Sequence, residues 1–475
     1  MKRYNYIHVK KLGVYNTPSR LLLKIGCLTI LLFLGFLMYS CDEFVAVELP
    51  ASQLNAQDVF LDEATAHSAM IAIYADMRDN GIISDAGYIL GNYADELDFY
   101  GTSTTMDDFN KNTLIPSNTT VGSWWENAYK LIYSANSIIE RCEESTSLVE
   151  GDKNQLIAEA LFVRSLLHFN LARVYGDVPY IPSTDYQINA KISRTAEITV
   201  YQKIIEDLLI ASDLIELDYI TNDRTRPNKA VVLALLAKVY LQVQNWESAR
   251  DTANMIINQS EMYPWNDNLD LIFLKESKTT LWQWAPKYDG YNTREGQSYI
   301  LIATPPVSVT LNQMLVDSFD PSDLRRSKWI GTISDDSQRW YFPFKYKQKN
   351  QTASSQEYSI VFRLAEQYLI RSRAKLELGD IQGSLADLNK VHKRAGLSSI
   401  TTNNPTEIKN RILQERRHEL FTEFGHRFFD LKRNGSLDAV LTPIKSAWET
   451  TDAYFPIPED ELLLNSNLAP QNPGY

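Results

Sequence analysis

The apolar residues of this chain recur mostly at helical spacing, and two stretches do so in the same pattern. "NKAVVLALLAKVYLQVQNWESARDTANMIIN" (228–258) reads as a helix, a break at Gln244-Asn245 and a second helix. "VFRLAEQYLIRSRAKLELGDIQGSLADLNKVHKRAG" (361–396) reads the same way, with its break at Gly379-Asp380. Laying Asn245 on Asp380 puts Tyr240 on Lys375 and Ala249 on Ser384. Tyr240 and Ala249 lie nine apart, as a large and a small packing residue do in tetratricopeptide hairpins. Further amphipathic helices follow from "DEATAHSAMIAIYADMRD" (apolar at Met70, Ile73, Tyr74 and Met77), from "SWWENAYKLIYSANSIIERC" with Ser123 as its cap, and from "NQLIAEALFVRSLLHFNLARVYGDVPYI", closed by Gly176 and Pro179. The pattern predicts a mostly α fold of degenerate hairpins, scattered along the chain and not in tandem. Such a scaffold presents a curved face but implies no chemistry of its own.

Residues 258–357 break the pattern. Pro, Gly, Asn and Asp punctuate them, and short runs such as Trp340-Tyr341-Phe342 predict loops and small strands. Five of the nine tryptophans fall here, so the expected architecture is helical hairpins packed against a loop-rich, aromatic-rich part. The expected division is 1–40 as a leader, 41–257 as an N-terminal helical part and 258–475 as a C-terminal part, the last carrying the aromatic insert 258–357, with all but the leader in one unit.

The first twenty residues hold five basic side chains and no acid, and only fourteen uncharged residues run from Ile25 to Met38. That is short for a bilayer, which needs roughly 20 apolar residues, and it suits a secretory leader. Ser40-Cys41 at its end is similar to a bacterial lipoprotein junction, where the Cys41 thiol would receive the lipid. An ordinary cleaved leader and an uncleaved anchor are the alternatives. Beyond the leader 41 basic residues face 59 acidic ones, a net −18, which excludes nucleic acid as a partner because phosphate must be met by Lys and Arg. Cys27 and Cys41 fall in or at the end of the leader, leaving Cys142 with no internal partner, so the core must hold the fold.

Catalytic patterns are missing. His418-Glu419 begins like a zinc-protease helix, but Thr422 stands where the second ligand belongs. The acids, among them Asp95, Glu96 and Asp98, read as solvated. The aromatics offer more. A pyranose has an apolar C–H face and a polar rim, so a rigid ring can cover the face while amides and acids hold the hydroxyls. Trp282, Trp284, Tyr288, Tyr291, Trp329 and Trp340 are interleaved with such polar residues, and Asp98 and Tyr100 follow the first helix in a second candidate loop. These eight are the expected ligand-binding residues. No cofactor is required, and a structural calcium at an acidic loop stays open.

Three late stretches carry a resemblance. "ERRHELFTEFGHRFFDLKRNG" (415–435), "YFPIPEDELLLNSNLAPQNPGY" (454–475) and "FRLAEQYLIRSRAKLELGD" (362–380) are similar to the SusD/RagB family of Bacteroidetes-type surface lipoproteins; the last departs from the family at Ser372-Arg373-Ala374. Trp124-Trp125 and "ALFVRSLLHFNLARVYGDVPYI" extend the match to the N-terminal half. The resemblance implies four tetratricopeptide-like hairpins and a non-catalytic protein on the outer membrane, lipid-anchored and exposed at the cell surface. It implies nutrient uptake in which glycans are bound and handed to a SusC-like TonB-dependent transporter. It also implies that Arg417, Glu419, Arg427 and Asp430 form ion pairs docking the last helices. A peptide binder of the same transporter system and a surface glycoside hydrolase are the competing readings.

Overall fold

The computed structural model describes residues 60–475; the leader and Cys41 lie outside the described residues. Helix α1 (Glu63–Asp79) starts where the Asp62 carboxylate accepts from the Thr65 amide, and it buries Met70, Ile73, Tyr74 and Met77 as its spacing predicts. Then come α2 (Ala86–Tyr93), strand β1 (Leu97–Phe99), α3 (Thr104–Lys111) and two long helices, α4 (Thr119–Glu144) and α5 (Glu150–Tyr175). Helix α4 begins one turn before Ser123, because the Asn118 side chain accepts from the amides of Thr120 and Val121. A short α6 (Tyr186–Asn189) leads to α7 (Glu197–Leu214), α8 (Lys229–Gln242) and α9 (Trp246–Ile257).

The helices form a continuous stack. Helix α4 packs on α5, α5 on α7, α7 on α8 and α8 on α9. Helix α9 then packs on α13 (Leu364–Glu377), which follows it by a hundred residues of sequence, and α13 packs on α14 (Ile381–Arg394) and α15 (Pro405–Leu420). Hairpins that are scattered in sequence are therefore neighbours in space, because the insert leaves the stack after α9 and returns to it at α13. The two aligned hairpins share their turn geometry. Asn245 and Asp380 cap α9 and α14 through their side chains, and the preceding Gln244 and Gly379 both adopt left-handed backbone, φ +58° and +82°.

The insert holds β2 (Thr280–Trp284), α10 (Arg294–Tyr299), β3 (Val309–Leu311), α11 (Gln313–Asp317), α12 (Leu324–Lys328), β4 (Ile330–Ser334) and β5 (Arg339–Pro343); β6 (Ser359–Arg363) runs directly into α13. Each strand pairs antiparallel with one other: β1 with β3, β2 with β6, β4 with β5. These pairs organise a second core around Phe273, Leu315, Trp329 and Phe421. The chain ends in α16 (His426–Arg433), α17 (Leu437–Leu441) and α18 (Glu459–Leu464). Among the described residues no helix is long and apolar enough to cross a membrane.

Buried ion pairs lock insert, stack and tail together. Glu419 accepts from Arg325 at 3.1 Å and from Arg363 and Arg394, while Arg363 also holds Glu423 at 2.8 Å. Asp430 accepts from Arg416 (2.7 Å) and Arg433 (2.9 Å). Arg417 and Arg427 both reach Asp95, at 2.8 and 2.7 Å. The family-type charges thus do dock the last helices, and one partner they find is Asp95, near the start of the described chain. Asp95 and Glu96 are buried, not solvated.

Candidate functional site

Of the eight expected ligand residues, the four tryptophans lie in the core. Strand β2 is buried along its whole length, with Trp282 at 0% and Trp284 at 4% exposure. The stack covers one side: Trp282 meets Tyr74 and Phe162 edge-on, and Trp284 meets Phe424. The polar residue between them, Gln283, faces no ligand; its amide donates to the carbonyls of Asp223 and Lys275. Trp329 sits against Phe273 with its indole N–H on the Leu269 carbonyl, and Trp340 is buried on β5. A ring without an open face cannot stack on a sugar, so Trp282, Trp329 and Trp340 offer no platform in this conformation, and Trp284, 4% exposed, contributes only to the wall of a cleft.

The tyrosines are different. Tyr288, Tyr291 and Tyr100 are among the exposed large side chains, at 58%, 45% and 43%. Tyr288 and Tyr291 close a turn through a backbone bond of 3.2 Å, and their ring centroids lie 5.7 Å apart. The turn is pinned to segment 350–357. The Thr352 amide donates to the Gly290 carbonyl at 2.8 Å, Asn292 accepts from the amides of Gln356 and Glu357, and Asp289 accepts from Ser355. Gly290 has φ +83°, and a Cβ there would meet the Thr352 carbonyl oxygen at 2.8 Å, so only glycine fits. Two exposed rings therefore stand on a fixed backbone.

Beside this turn run residues 78–100. Arg78 donates to both carboxylate oxygens of Asp79 at 2.7 Å and to the Ala285 carbonyl at 3.1 Å. Arg294 reaches back to the carbonyls of Arg78 and Asp79 and to Asp85 at 2.9 Å. These bonds tie the α1 terminus to the insert and leave a cleft on either side. One, of about 290 Å³, is lined by Ser84, Asp85, Tyr88, Arg294, Ser298 and Tyr299, with the rings of Tyr88 and Tyr299 stacked at 6.1 Å. The other, of about 180 Å³, lies between Ile71, Arg78, Thr225 and Trp284. Further along, Asp98 accepts from Asn312, and the Tyr100 amide donates to the Ser308 carbonyl at 2.7 Å. Segments 78–100 and 285–311 are thus joined at two places, through Arg78 and Arg294 after the tyrosine turn and through the β1–β3 pair at Tyr100. Arg78, Asp85, Tyr88 and Arg294 escaped the sequence reading; the one available signal was Arg294 three residues after Tyr291.

A larger cleft, about 560 Å³, lies elsewhere, lined by Asp317, Asp320, His392, Arg411, Gln414 and His418 among others. It offers no open ring, since Phe319 is buried and stacked on His418 at 4.1 Å. His418 lies 2.9 Å from Ser318 Oγ, but burial pushes its pKa down to about 3, so it is no base near neutrality, and the Ser318 hydroxyl already donates to the Leu315 carbonyl. Among the described residues one group, Glu63, His67 and Asp152, comes within metal-binding reach. Arg226 lies 3.2 Å from His67 Nδ1, and a guanidinium can only donate, so Nε2 carries the proton and points to Asp152. A cation there would force a proton onto Nδ1, facing the guanidinium. With two carboxylates and a blocked imidazole the group does not suit calcium, which takes six to eight oxygens.

The helical stack, the paired insert and the charged docking of the tail can be set against known proteins. Residues 51–241 match the family described as "Starch-binding associating with outer membrane", and residues 322–475 match the SusD family. The chain belongs to the SusD/RagB family. It is 28% identical to SusD-like protein P2 of Formosa agariphila, over 90% of this chain and 96% of that one. The fold is similar to a SusD superfamily protein of Bacteroides vulgatus, with a TM-score of 0.78 at 21% identity, covering 88% of this chain and all of that one. It is also similar to a laminarin-binding SusD-like protein, with a TM-score of 0.72 at 22% identity, covering 87% and 100%. SusD family members are non-catalytic binding proteins associated with the outer membrane, and this chain is one of them. Neither matched region includes Tyr288, Tyr291 or Arg294.

Proposed function

We propose that this protein captures a glycan at the cell surface without cleaving it and passes the chain to a SusC-like TonB-dependent transporter, held at the outer membrane by lipid on Cys41. The observation that carries the ligand assignment is the exposed tyrosine pair, Tyr288 and Tyr291, on a turn whose backbone is fixed before any ligand arrives. Preorganisation lowers the ordering cost of binding. Each phenol that covers a sugar face contributes ~1–2 kcal/mol by burial, so the two together give binding of about millimolar strength or weaker, and tighter capture draws on the polar contacts around them. Tyr100, exposed at the β1–β3 pair, offers a second contact, beside which Asp98 accepts from Asn312. Two of the buried tryptophans, Trp282 and Trp284, are given a supporting role: they hold β2 in place, and the turn follows β2 directly. Family membership and the laminarin-binding neighbour support the glycan class; the leader ending at Cys41 supports the anchor.

Calorimetry with an oligosaccharide that binds the wild type tests the assignment. Tyr288→Ala and Tyr291→Ala each weaken binding by about tenfold, equivalent to ~1.4 kcal/mol, with an unchanged melting temperature. Trp329→Ala does the reverse, costing about 3–5 kcal/mol of stability. If both tyrosine variants bind normally, the platform lies elsewhere.

A further inference from the structure

We infer that the glycan taken by this face is uncharged, and not a uronate or sulfated polymer. The inference rests on the glycan reading proposed above and comes from the disposition of charge around the tyrosine turn. Recognising a carboxylate or sulfate needs a guanidinium or ammonium whose hydrogen bonds are still free. Both arginines of the face already have their charge matched by a carboxylate and three of their five N–H groups bonded. Arg78 grips Asp79 with two 2.7 Å bonds and spends another N–H on the Ala285 carbonyl. Arg294 is divided among Asp85, the Arg78 carbonyl and the Asp79 carbonyl, at 2.9, 3.2 and 2.8 Å. Lys349 donates to the Gln297 carbonyl at 2.7 Å.

Lys287 remains, 5.5 Å from the Tyr288 ring centroid and within electrostatic reach of Asp79. The cations Arg78, Lys287 and Arg294 are thus matched by the acids Asp79, Asp85 and Asp289, all within the same two segments. A polyanion would have to compete with Asp79 and Asp85 for cations whose charge those acids already neutralise. It would also approach a chain of net charge −18 beyond the leader (41 basic against 59 acidic residues), which repels it at long range. An uncharged chain meets what the face leaves free: phenol rings, hydroxyls and two clefts.

The test is calorimetry of the full protein against two sets of probes, each measured from about 20 to about 500 mM NaCl, a range over which screening shrinks from roughly 20 Å to a few Å. The uncharged set is laminarin, starch and mannan oligosaccharides; the charged set is polygalacturonate and a sulfated polysaccharide. The expected result is that at least one uncharged probe binds with an affinity that moves less than about twofold across the salt range, that this binding is lost in the Tyr288→Ala, Tyr291→Ala double variant, and that the charged set does not bind. Binding of a charged probe that weakens by about tenfold or more with salt, and that is lost in Lys287→Ala, overturns the inference while leaving the glycan reading in place. Binding of neither set overturns the glycan reading and the inference with it.

Discussion

His168, His418 and His426 fold as neutral rings, and their surroundings say why. His168 Nδ1 donates to the Arg164 carbonyl at 2.9 Å and its Nε2 accepts from the Ile181 amide at 3.2 Å, a pairing that only the neutral ring can make. Burial pushes His168 and His418 down to about 3 and His426 well below its ordinary value, with nearby cations adding to the effect. In the unfolded chain all three titrate near 6.5. Below that pH the unfolded state binds protons that the folded state refuses, so stability falls as pH drops. Glu96 works the other way: burial beside Asp95 raises its pKa to about 7, so the folded state keeps a proton that the unfolded state loses. Glu295, Glu357, Asp452 and Glu461, also raised by burial, act in the same sense as Glu96 and soften the fall without reversing the direction set by the three histidines between about pH 7 and 5. Urea unfolding midpoints at pH 7, 6 and 5 should fall in that order; a flat profile contradicts the neutral assignment. None of this was legible in the sequence, because burial of a histidine depends on which helix face meets a neighbour. The tryptophans were misread for the same reason. Alternation with Gln and Asn looks like a wet surface, yet β2 is covered on both sides and Gln283 satisfies backbone instead of ligand.

At the scale of elements, the helical hairpins were largely legible. Their signals are local: a capping Asn or Asp, a left-handed residue before it, and apolar spacing on both arms. Laying Asn245 on Asp380 holds in space, since both cap the second helix of a pair. The two turns differ in one respect. Gly379 takes left-handed backbone at no steric cost, whereas Gln244 takes it with a Cβ. Gln244→Gly should therefore stabilise the protein by roughly 0.5–1 kcal/mol, the relief of strain exceeding the added freedom of the unfolded chain. A lower denaturation midpoint in that variant would show that the Gln244 side chain contributes more than its backbone costs. The strand pairings were not legible, because β1 finds β3 across some two hundred residues and nothing in either short run names the other.

At the scale of the whole molecule, the insert is neither a separate domain nor a decoration. It leaves the stack at α9 and rejoins it through β6 and α13, and the Arg325, Arg363 and Arg394 cluster on Glu419 fastens insert, stack and tail at one buried point. Breaking such a network leaves uncompensated buried charge, which explains why the signature residues of the tail serve architecture and not ligand. The proposed ligand face lies outside the signature segments of the tail, at the turn of Tyr288 and Tyr291, where one fold can change cargo by changing side chains on a fixed backbone. The helical architecture and the general location of the aromatic part could be read from the sequence; the identity of the open rings could not, because openness belongs to the assembled molecule.

The most direct measurement is a crystal structure of the protein soaked with an uncharged oligosaccharide that it binds in solution. The account predicts an intact sugar chain lying across Tyr288 and Tyr291, with Arg78 and Arg294 still bridged to Asp79 and Asp85. A sugar seated instead in the cleft of Asp320 and His392, or a chain found cleaved, would contradict it.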